Sequence, residues 1–238
     1  MAFATNHPTN TMKLTYDLHI HSALSPCADN NMTPANIVGF AKLNGIDAIA
    51  IADHNAIANV KVAMDVGNAF DVVVVPAMEL QTAEDVHVLC LFETLQDLQS
   101  FYDSISFANI TNRTEIFGEQ LIVDDEDNIV GTLDNMLLVA SGLFVEQVTS
   151  LATKYNGIAI AAHINREENG MVSILGTVPE DFTVVELYPT ADVNVDCFCK
   201  GRKVITNSDA HTLADIGKAK GQIDVTERSI KGVLQALR

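Results

Sequence analysis

Short, continuous apolar runs without polar alternation recur along the chain at 14–20, 47–52, 71–76, 86–91, 157–161, 183–187 and 204–206. Runs of this length that lack a period of two predict parallel strands covered on both faces. Longer amphipathic stretches lie between them. Thr33 followed by Pro34 predicts an N-cap and first turn; Ile37, Phe40 and Ala41 supply an apolar stripe, and Gly45 ends the helix. A second helix is expected over 55–70. Phe144, Val148, Leu151 and Tyr155 recur at helical spacing up to Gly157. Further helices are expected over 193–200 and from Ser229 onward.

Repeated strand and helix units of this size predict a parallel sheet with right-handed crossovers. An open doubly wound sheet lacks its fingerprint here, because Gly39, Gly45 and Gly67 form no G-x-G-x-x-G after the first strand. Almost every predicted strand also ends in polar, metal-binding residue types. A barrel gathers such ends at one mouth, whereas an open sheet spreads them by ~4.8 Å per strand. An α/β barrel is therefore expected. Residues 93–141 exceed one crossover, and GEQLIVDDEDNIVGTLDN within them predicts two short strands about an acidic turn, Asp124 to Asn128. This excursion is expected to carry helices and a hairpin, either as a wall of the pocket or as a surface ornament.

The polar ends carry the chemistry. His19 and His21 follow KLTYDL, Asp53 and His54 end DAIAIADH, Glu79 ends DVVVVPAME, and His87 lies in VHVLCL. His163 ends GIAIAAH, while Asp209 and His211 close KVITNSDAH. His19 and His21 alternate by two, which puts both rings on one side of a strand with Cα atoms ~6.6 Å apart. A buried unpaired Glu79 would be costly, and bridging two cations ~3.5 to 4 Å apart would compensate it. The bland alternative is an arginine partner, from Arg113, Arg166 or Arg202. Asp53 could orient an imidazole or merely cap a helix. Arg166 is the best candidate for a forked phosphate contact. Ser22 is a weaker phosphate donor, and a Cys27–His163 nucleophile pair would leave Glu79, His87 and Asp209 unexplained.

Composition narrows the partners. The 238 residues carry 14 Lys plus Arg against 31 Asp plus Glu, a formal charge of −17. That balance opposes long nucleic acid, whose backbone wants a basic groove, but leaves small phosphorylated substrates or the ends of short strands open. Four cysteines, Cys27, Cys90, Cys197 and Cys199, are too few and too uneven for a disulfide scaffold, and Cys197-x-Cys199 is a weak metal signal. Residues 1–11 read as a flexible polar tail without signal-peptide character, with His7 a bystander, and no run reaches the ~20 apolar residues of a membrane span. A cytoplasmic protein is expected, with oligomeric state open.

DLHIHS at 17–22, ADHN at 52–55, Glu79, His87, AAHINR at 161–166 and NSDAH at 207–211 together resemble the ordered motifs of the PHP family, the polymerase and histidinol phosphatase superfamily. The resemblance runs from residue 14 to about 212, and 93–141 carries none of it. It implies a distorted seven-stranded TIM-like β/α barrel over 12–238, a single domain with an insertion, holding two or three divalent ions such as Zn, Mn or Fe. By the same resemblance His19, His21, Glu79 and Asp209 would hold one ion; Glu79, His87 and His163 a second; His54 and His211 a third, with a residue from the loop after His21. Family members place Asp or His in that loop, whereas SALSPCADNN offers Cys27, a soft ligand, or Asp29. The expected activity is hydrolysis of a small phosphomonoester or phosphodiester by a metal-bridging hydroxide. Alternatives are a nucleotide phosphatase or 5'-3' exonuclease on short oligonucleotides, and a non-catalytic metal-stabilised interaction module.

Overall fold

A computed structural model describes residues 11–190 and 193–238. Of the tail expected over 1–11, residues 1–10, His7 among them, lie outside those described. In chain order the elements are β1 (Met12–Ile20), α1 (Pro34–Leu43), β2 (Ala48–Ile51), α2 (Val60–Phe70), β3 (Val73–Gln81), β4 (His87–Leu91), α3 (Leu95–Asp103), α4 (Thr114–Phe117), β5 (Leu121–Val123) and β6 (Ile129–Thr132). There follow α5 (Val145–Lys154), β7 (Ile158–Ala161), α6 (Met171–Leu175), β8 (Val184–Leu187), α7 (Asp196–Cys199), β9 (Lys203–Thr206), β10 (Gly221–Val225) and α8 (Ile230–Leu237).

One sheet runs β10-β1-β2-β3-β4-β7-β8-β9. Its two ends approach across the mouth, where Ile20 bridges Ala210, Leu18 N donates to Asn207 Oδ1 at 2.7 Å, and Ser208 donates to Asp17 through N at 2.9 Å and Oγ at 2.6 Å. At the opposite end β10 occupies the same edge of β1, with Met12 opposite Val225 and Tyr16 opposite Gly221. The result is a nearly closed, barrel-like α/β sheet.

Two features correct the expected seven parallel strands. The strand β10 makes the sheet eight-stranded; its side chains alternate between exposed and partly buried, so GQIDV carries no continuous apolar run. The strand β4 is antiparallel to both neighbours, β3 and β7. Only five residues separate β3 from β4, and Asp85 N donating to Thr82 O at 3.0 Å closes a tight turn there. So short a link cannot make a parallel crossover.

Helix α1 has the expected start, with the Thr33 hydroxyl accepting from Asn36 N. The helix expected from residue 55 begins instead at Val60, because Asn55 has a left-handed backbone, φ 46°, and bonds outward. The helix expected over 193–200 shortens to Asp196–Cys199. In the excursion, α3, α4 and the β5–β6 hairpin form as expected, and the Asp124 carboxylate caps the acidic turn by accepting from Glu126 N and Asn128 N.

Strand parity sorts the core. Leu14, Tyr16, Leu18, Ala48, Ala50, Ala52, Val75, Ala77, Leu89, Leu91, Ile160 and Val184 form one buried cluster, with Val233, Leu234 and Leu237 of α8 closing its base. Ile49, Ile51, Val74 and Ile20 pack on the other face against Ile37, Val38 and Ala41 of α1 and Ala63 and Val66 of α2. The register of β1 shifts between Asp17 and Ile20. That irregularity changes which parity faces inward: Leu14, Tyr16 and Leu18 lie inside, Ile20 lies outside, and His19 and His21 turn to the mouth.

A candidate metal centre at the sheet mouth

The apolar interior ends in a polar layer. On β3 the inward parity of Val75 and Ala77 continues to Glu79. On β4 the inward parity of Leu89 and Leu91 leads back to His87, which reaches the same mouth because this strand runs the opposite way. On β8 the residue inward after Val184 is Glu186.

Glu79 is the hub. It is 1% exposed, and Oε1 lies 3.0 Å from both His87 Nδ1 and His163 Nε2 and 3.3 Å from His19 Nε2. Its Oε2 lies 2.9 Å from His54 Nδ1 and 3.4 Å from His21 Nε2. No arginine competes for it: Arg113 pairs with Glu115, Arg202 donates to backbone carbonyls, and Arg166 pairs with Asp209. Asp209 Oδ1 lies 3.1 Å from His21 Nε2 and 3.6 Å from His19 Nε2, while Oδ2 accepts from Arg166 Nη1 at 2.7 Å. Burial opposes ionisation of both carboxylates, but the surrounding imidazoles hold them well below the usual range. Both are anions at neutral pH.

These donors suit cations. His19 Nε2, His54 Nδ1, His163 Nδ1 and Glu79 Oε2 are buried and, among the described residues, have no hydrogen-bond partner of acceptable geometry. Five imidazoles around one carboxylate exceed what its lone pairs can accept, so shared positive charge is the economical solution. Three groups bring their donor atoms within 4.8 Å of one another: His19, His21 and Asp209; His54, Glu79 and His87; His21, His54 and His211. Each group differs from the set expected for it: the first lacks Glu79, the second has His54 where His163 was expected, and the third adds His21. The His54 ring lies 4.4 Å from that of His21 and 5.0 Å from that of His87, and His163 meets the hub through Oε1.

Outer residues hold this layer in place. Among the described residues the Asp53 carboxylate accepts no hydrogen bond from an imidazole, nor does it cap α2, whose N-cap is Asn59. Its Oδ1 accepts from Ser22 N at 2.8 Å and Ser25 Oγ at 2.7 Å, its Oδ2 from Ser22 Oγ at 2.6 Å, and Ser25 Oγ lies 3.1 Å from His21 Nδ1. The orienting contact expected of Asp53 is thus relayed by Ser25. Ser22 is buried and committed to Asp53 and Asn59, not to the pocket.

Glu186 escaped the sequence reading. It is 1% exposed, and its oxygens lie 3.1 and 3.0 Å from His19 Nδ1; Oε2 also accepts from His163 N at 2.9 Å, and Oε1 from Asn207 Nδ2 at 2.6 Å. The usable signal was a carboxylate inside the apolar run VVEL. Asp17, just before the H-x-H pair, likewise ties β1 to the loop after β9 through Ser208 and Gly217.

A cavity of about 300 Å³ opens over the centre, lined by Cys27, His54, Glu79, His87, His163, Arg166, Asp209 and His211 with Gln81, Leu138, Glu168 and Asn169. Cys27 borders it beside the His54 and His211 rings, which outweigh burial and bring its thiol down to about 7. The Asp29 carboxylate instead accepts from Asn31 N at 2.8 Å. His163 and Asp209 adopt φ of 26° and 50°, values that non-glycine residues keep only where their surroundings enforce them. The 93–141 excursion reaches the rim: Leu138 lines the cavity, and Asn55, next to His54, donates to Leu137 O and Val139 O.

Among the described residues no helix is long and apolar enough to cross a membrane. The PHP domain family model matches residues 17–165, and a PHP-associated model matches 200–238. No curated protein shows significant sequence similarity to the chain. In fold it resembles the lesion-specific endonuclease PfuEndoQ from Pyrococcus furiosus, with 19% identity and a TM-score of 0.70 over 95% of this chain. Endonuclease Q bound to a 27-mer duplex with an abasic lesion at the active site gives 17% identity and a TM-score of 0.71 over the same share. The chain spans 56% of the length of either endonuclease. An amidohydrolase from Chromobacterium violaceum with bound sulfate is 17% identical, with a TM-score of 0.58 over 93% of this chain and 96% of its own. With the matched family region holding most of the mouth, the chain belongs to the PHP domain family, a family of metal-dependent phosphoesterases.

Proposed function

We propose that this chain hydrolyses a phosphate ester at the mouth of its barrel, using two or three divalent ions drawn from Zn, Mn or Fe. The supporting observation is Glu79, a buried carboxylate with five imidazoles within 3.4 Å. His19, His21 and Asp209 would hold one ion with Glu79. Glu79, His87 and His163 would hold a second, and His54 and His211 a third. When bound, such ions make a water-derived nucleophile accessible near neutral pH and compensate charge on phosphoryl oxygens.

The chain's own residues do the rest. Asp209 and Glu79 contribute the fixed anions of the site. Arg166 keeps one guanidinium arm on Asp209, lies 5.2 Å from the Tyr188 ring, and offers its remaining donors to a phosphate oxygen. Glu186 orients His19, and Asp53 positions His21 through Ser25. Residues 12–238 would work as one unit, since β10 and α8 near the C-terminus complete the sheet edge and the base, with 93–141 as an insertion bordering the pocket.

A small phosphomonoester or phosphodiester suits a cavity of about 300 Å³ and needs only the metal mouth, not the basic surface that a −17 charge denies to a long strand. A nucleic-acid reading is supported by fold similarity to an endonuclease solved with a 27-mer duplex, over 95% of this chain, which weakens the charge argument against longer strands. Metal-loaded protein tested on histidinol phosphate, nucleoside monophosphates, bis-phosphorylated nucleotides, 5'-phosphorylated oligonucleotides and an abasic duplex separates these readings. Glu79→Gln is expected to lower turnover at least ~100-fold. Unchanged turnover at saturating metal refutes the assignment, and metal-dependent folding with no hydrolysis of any ester supports the interaction module instead.

A further inference from the structure

Two of the three donor groups at the mouth bring a carboxylate, Asp209 in one and Glu79 in another; the third, His21, His54 and His211, consists of imidazoles alone. A divalent ion there would meet three neutral rings and no anion of the group's own. The loop after β1 offers one residue that can become an anion beside it. Cys27 lines the cavity together with His54 and His211. Asp29, the competing acid, is turned away onto Asn31.

The loop is fixed where it matters. Asp29 N donates to His211 O at 2.9 Å, which ties the segment two residues past Cys27 to the strand exit carrying His211. On its other side Ser25 is held by Asp53 and lies against His21. Gly118 of the excursion has φ of 99°, and a Cβ there would come within 2.2 Å of Pro26 O, so the excursion backs the loop at the residue before the cysteine. A thiol held between two clamps, in the wall of the cavity that His54 and His211 also line, is placed to become a ligand.

We propose that Cys27 completes an imidazole–thiolate position with His54, His211 and His21, which takes a thiophilic divalent ion, whereas the Glu79-centred positions have nitrogen and oxygen donors alone. The inference rests on the metal-centre reading above and adds that the sites differ in ion preference. Soft thiolate favours Zn, Fe or Co, while the carboxylate-containing positions also suit Mn. The centre would load two kinds of ion side by side.

Cobalt titration of the reduced, metal-free full chain under anaerobic conditions tests this. Wild type is expected to develop a near-ultraviolet thiolate-to-cobalt absorption together with the visible bands of the other ions. Cys27→Ser removes the ultraviolet band and lowers cobalt affinity at one position at least about tenfold, while the remaining visible bands persist. Cys27→Asp restores the missing stoichiometry without the band and shifts that position toward manganese. Visible bands without a sulfur band in wild type overturn the inference and leave the metal centre standing, as does a sulfur band that survives in Cys27→Ser. A wild-type chain that binds no cobalt overturns both.

Discussion

Glu186→Gln isolates charge from shape at a buried residue that does not line the cavity. The carboxylate receives His19 Nδ1 on both oxygens, His163 N on Oε2 and Asn207 Nδ2 on Oε1. A glutamine amide must point its NH2 at one of the two sides. One orientation faces the His163 N–H and the other faces the Asn207 amide. Asn207 cannot simply flip to accept, because its Oδ1 already receives Leu18 N at 2.7 Å, one of the bonds joining β1 to the β9 exit. Either way one buried donor loses its acceptor, which costs about 1–3 kcal/mol. The His19 ring also loses the anion that, against burial, keeps its pKa well above the ordinary value together with Glu79 and Asp209. Outer partners of ligating histidines are worth roughly 10–100-fold in metal affinity. The expected result is a metal-free protein less stable by about 1–3 kcal/mol in urea unfolding, with the weakened ion bound about 10–100-fold more loosely in calorimetric titration. Unchanged unfolding midpoint and slope, together with wild-type metal affinity, would show that Glu186 neither holds His19 nor bears on the centre.

Three further substitutions probe other supports. Asp53→Asn keeps the buried shape but removes one of the two carboxylate oxygens on which Ser22 and Ser25 converge; one ion is expected to weaken by about 10–100-fold with folding retained, as read by metal titration and circular dichroism. Asn55→Gly keeps the permissive backbone of a residue at φ 46° while deleting bonds to Leu137 O, Val139 O and Gln81 N; a loss of about 2–3 kcal/mol and faster proteolysis within 133–141 are expected, and unaltered protection there would show that the segment is held by other contacts. Arg166→Lys preserves charge but not the fork, so KM should rise about tenfold with metal stoichiometry intact; loss of an ion instead would mean that Arg166 serves mainly to hold Asp209.

The sequence exposed the candidate site better than the sheet. His19, His21, His54, Glu79, His163, Asp209 and His211 stand where apolar runs stop, and a closed sheet brings such ends together whatever its exact strand count. Strand direction was not written in the same signal. The run 86–91 is as apolar as the runs that form parallel strands, and only the short TAED link after Gln81 distinguishes a hairpin from a crossover. The antiparallel turn of β4 nevertheless leaves His87 at the mouth, since the residue that begins this strand takes the place of one that would end a parallel strand. An error in direction therefore did no damage to the site.

Parity is what continuous apolar runs conceal. With both faces covered, VVEL and VVVVPAME do not announce which residues point inward, so Glu186 passed for part of a strand while Glu79 stood out only as its terminus. The register irregularity in β1 makes the same point physically. Without it, Leu18 and Ile20 would share a face and His19 and His21 would take the side that now holds Asp17, against the outer layer of helices. The candidate metal centre thus depends on a local break in the pattern that predicts the strand. Asp17 stabilises that break: its carboxylate accepts from Ser208 N, Ser208 Oγ and Gly217 N, and so pins the irregular stretch of β1 to the loop carrying Asp209 and His211. Two halves of the candidate donor set, separated by almost the whole chain, are brought to one mouth by a buried aspartate outside the lining of the cavity.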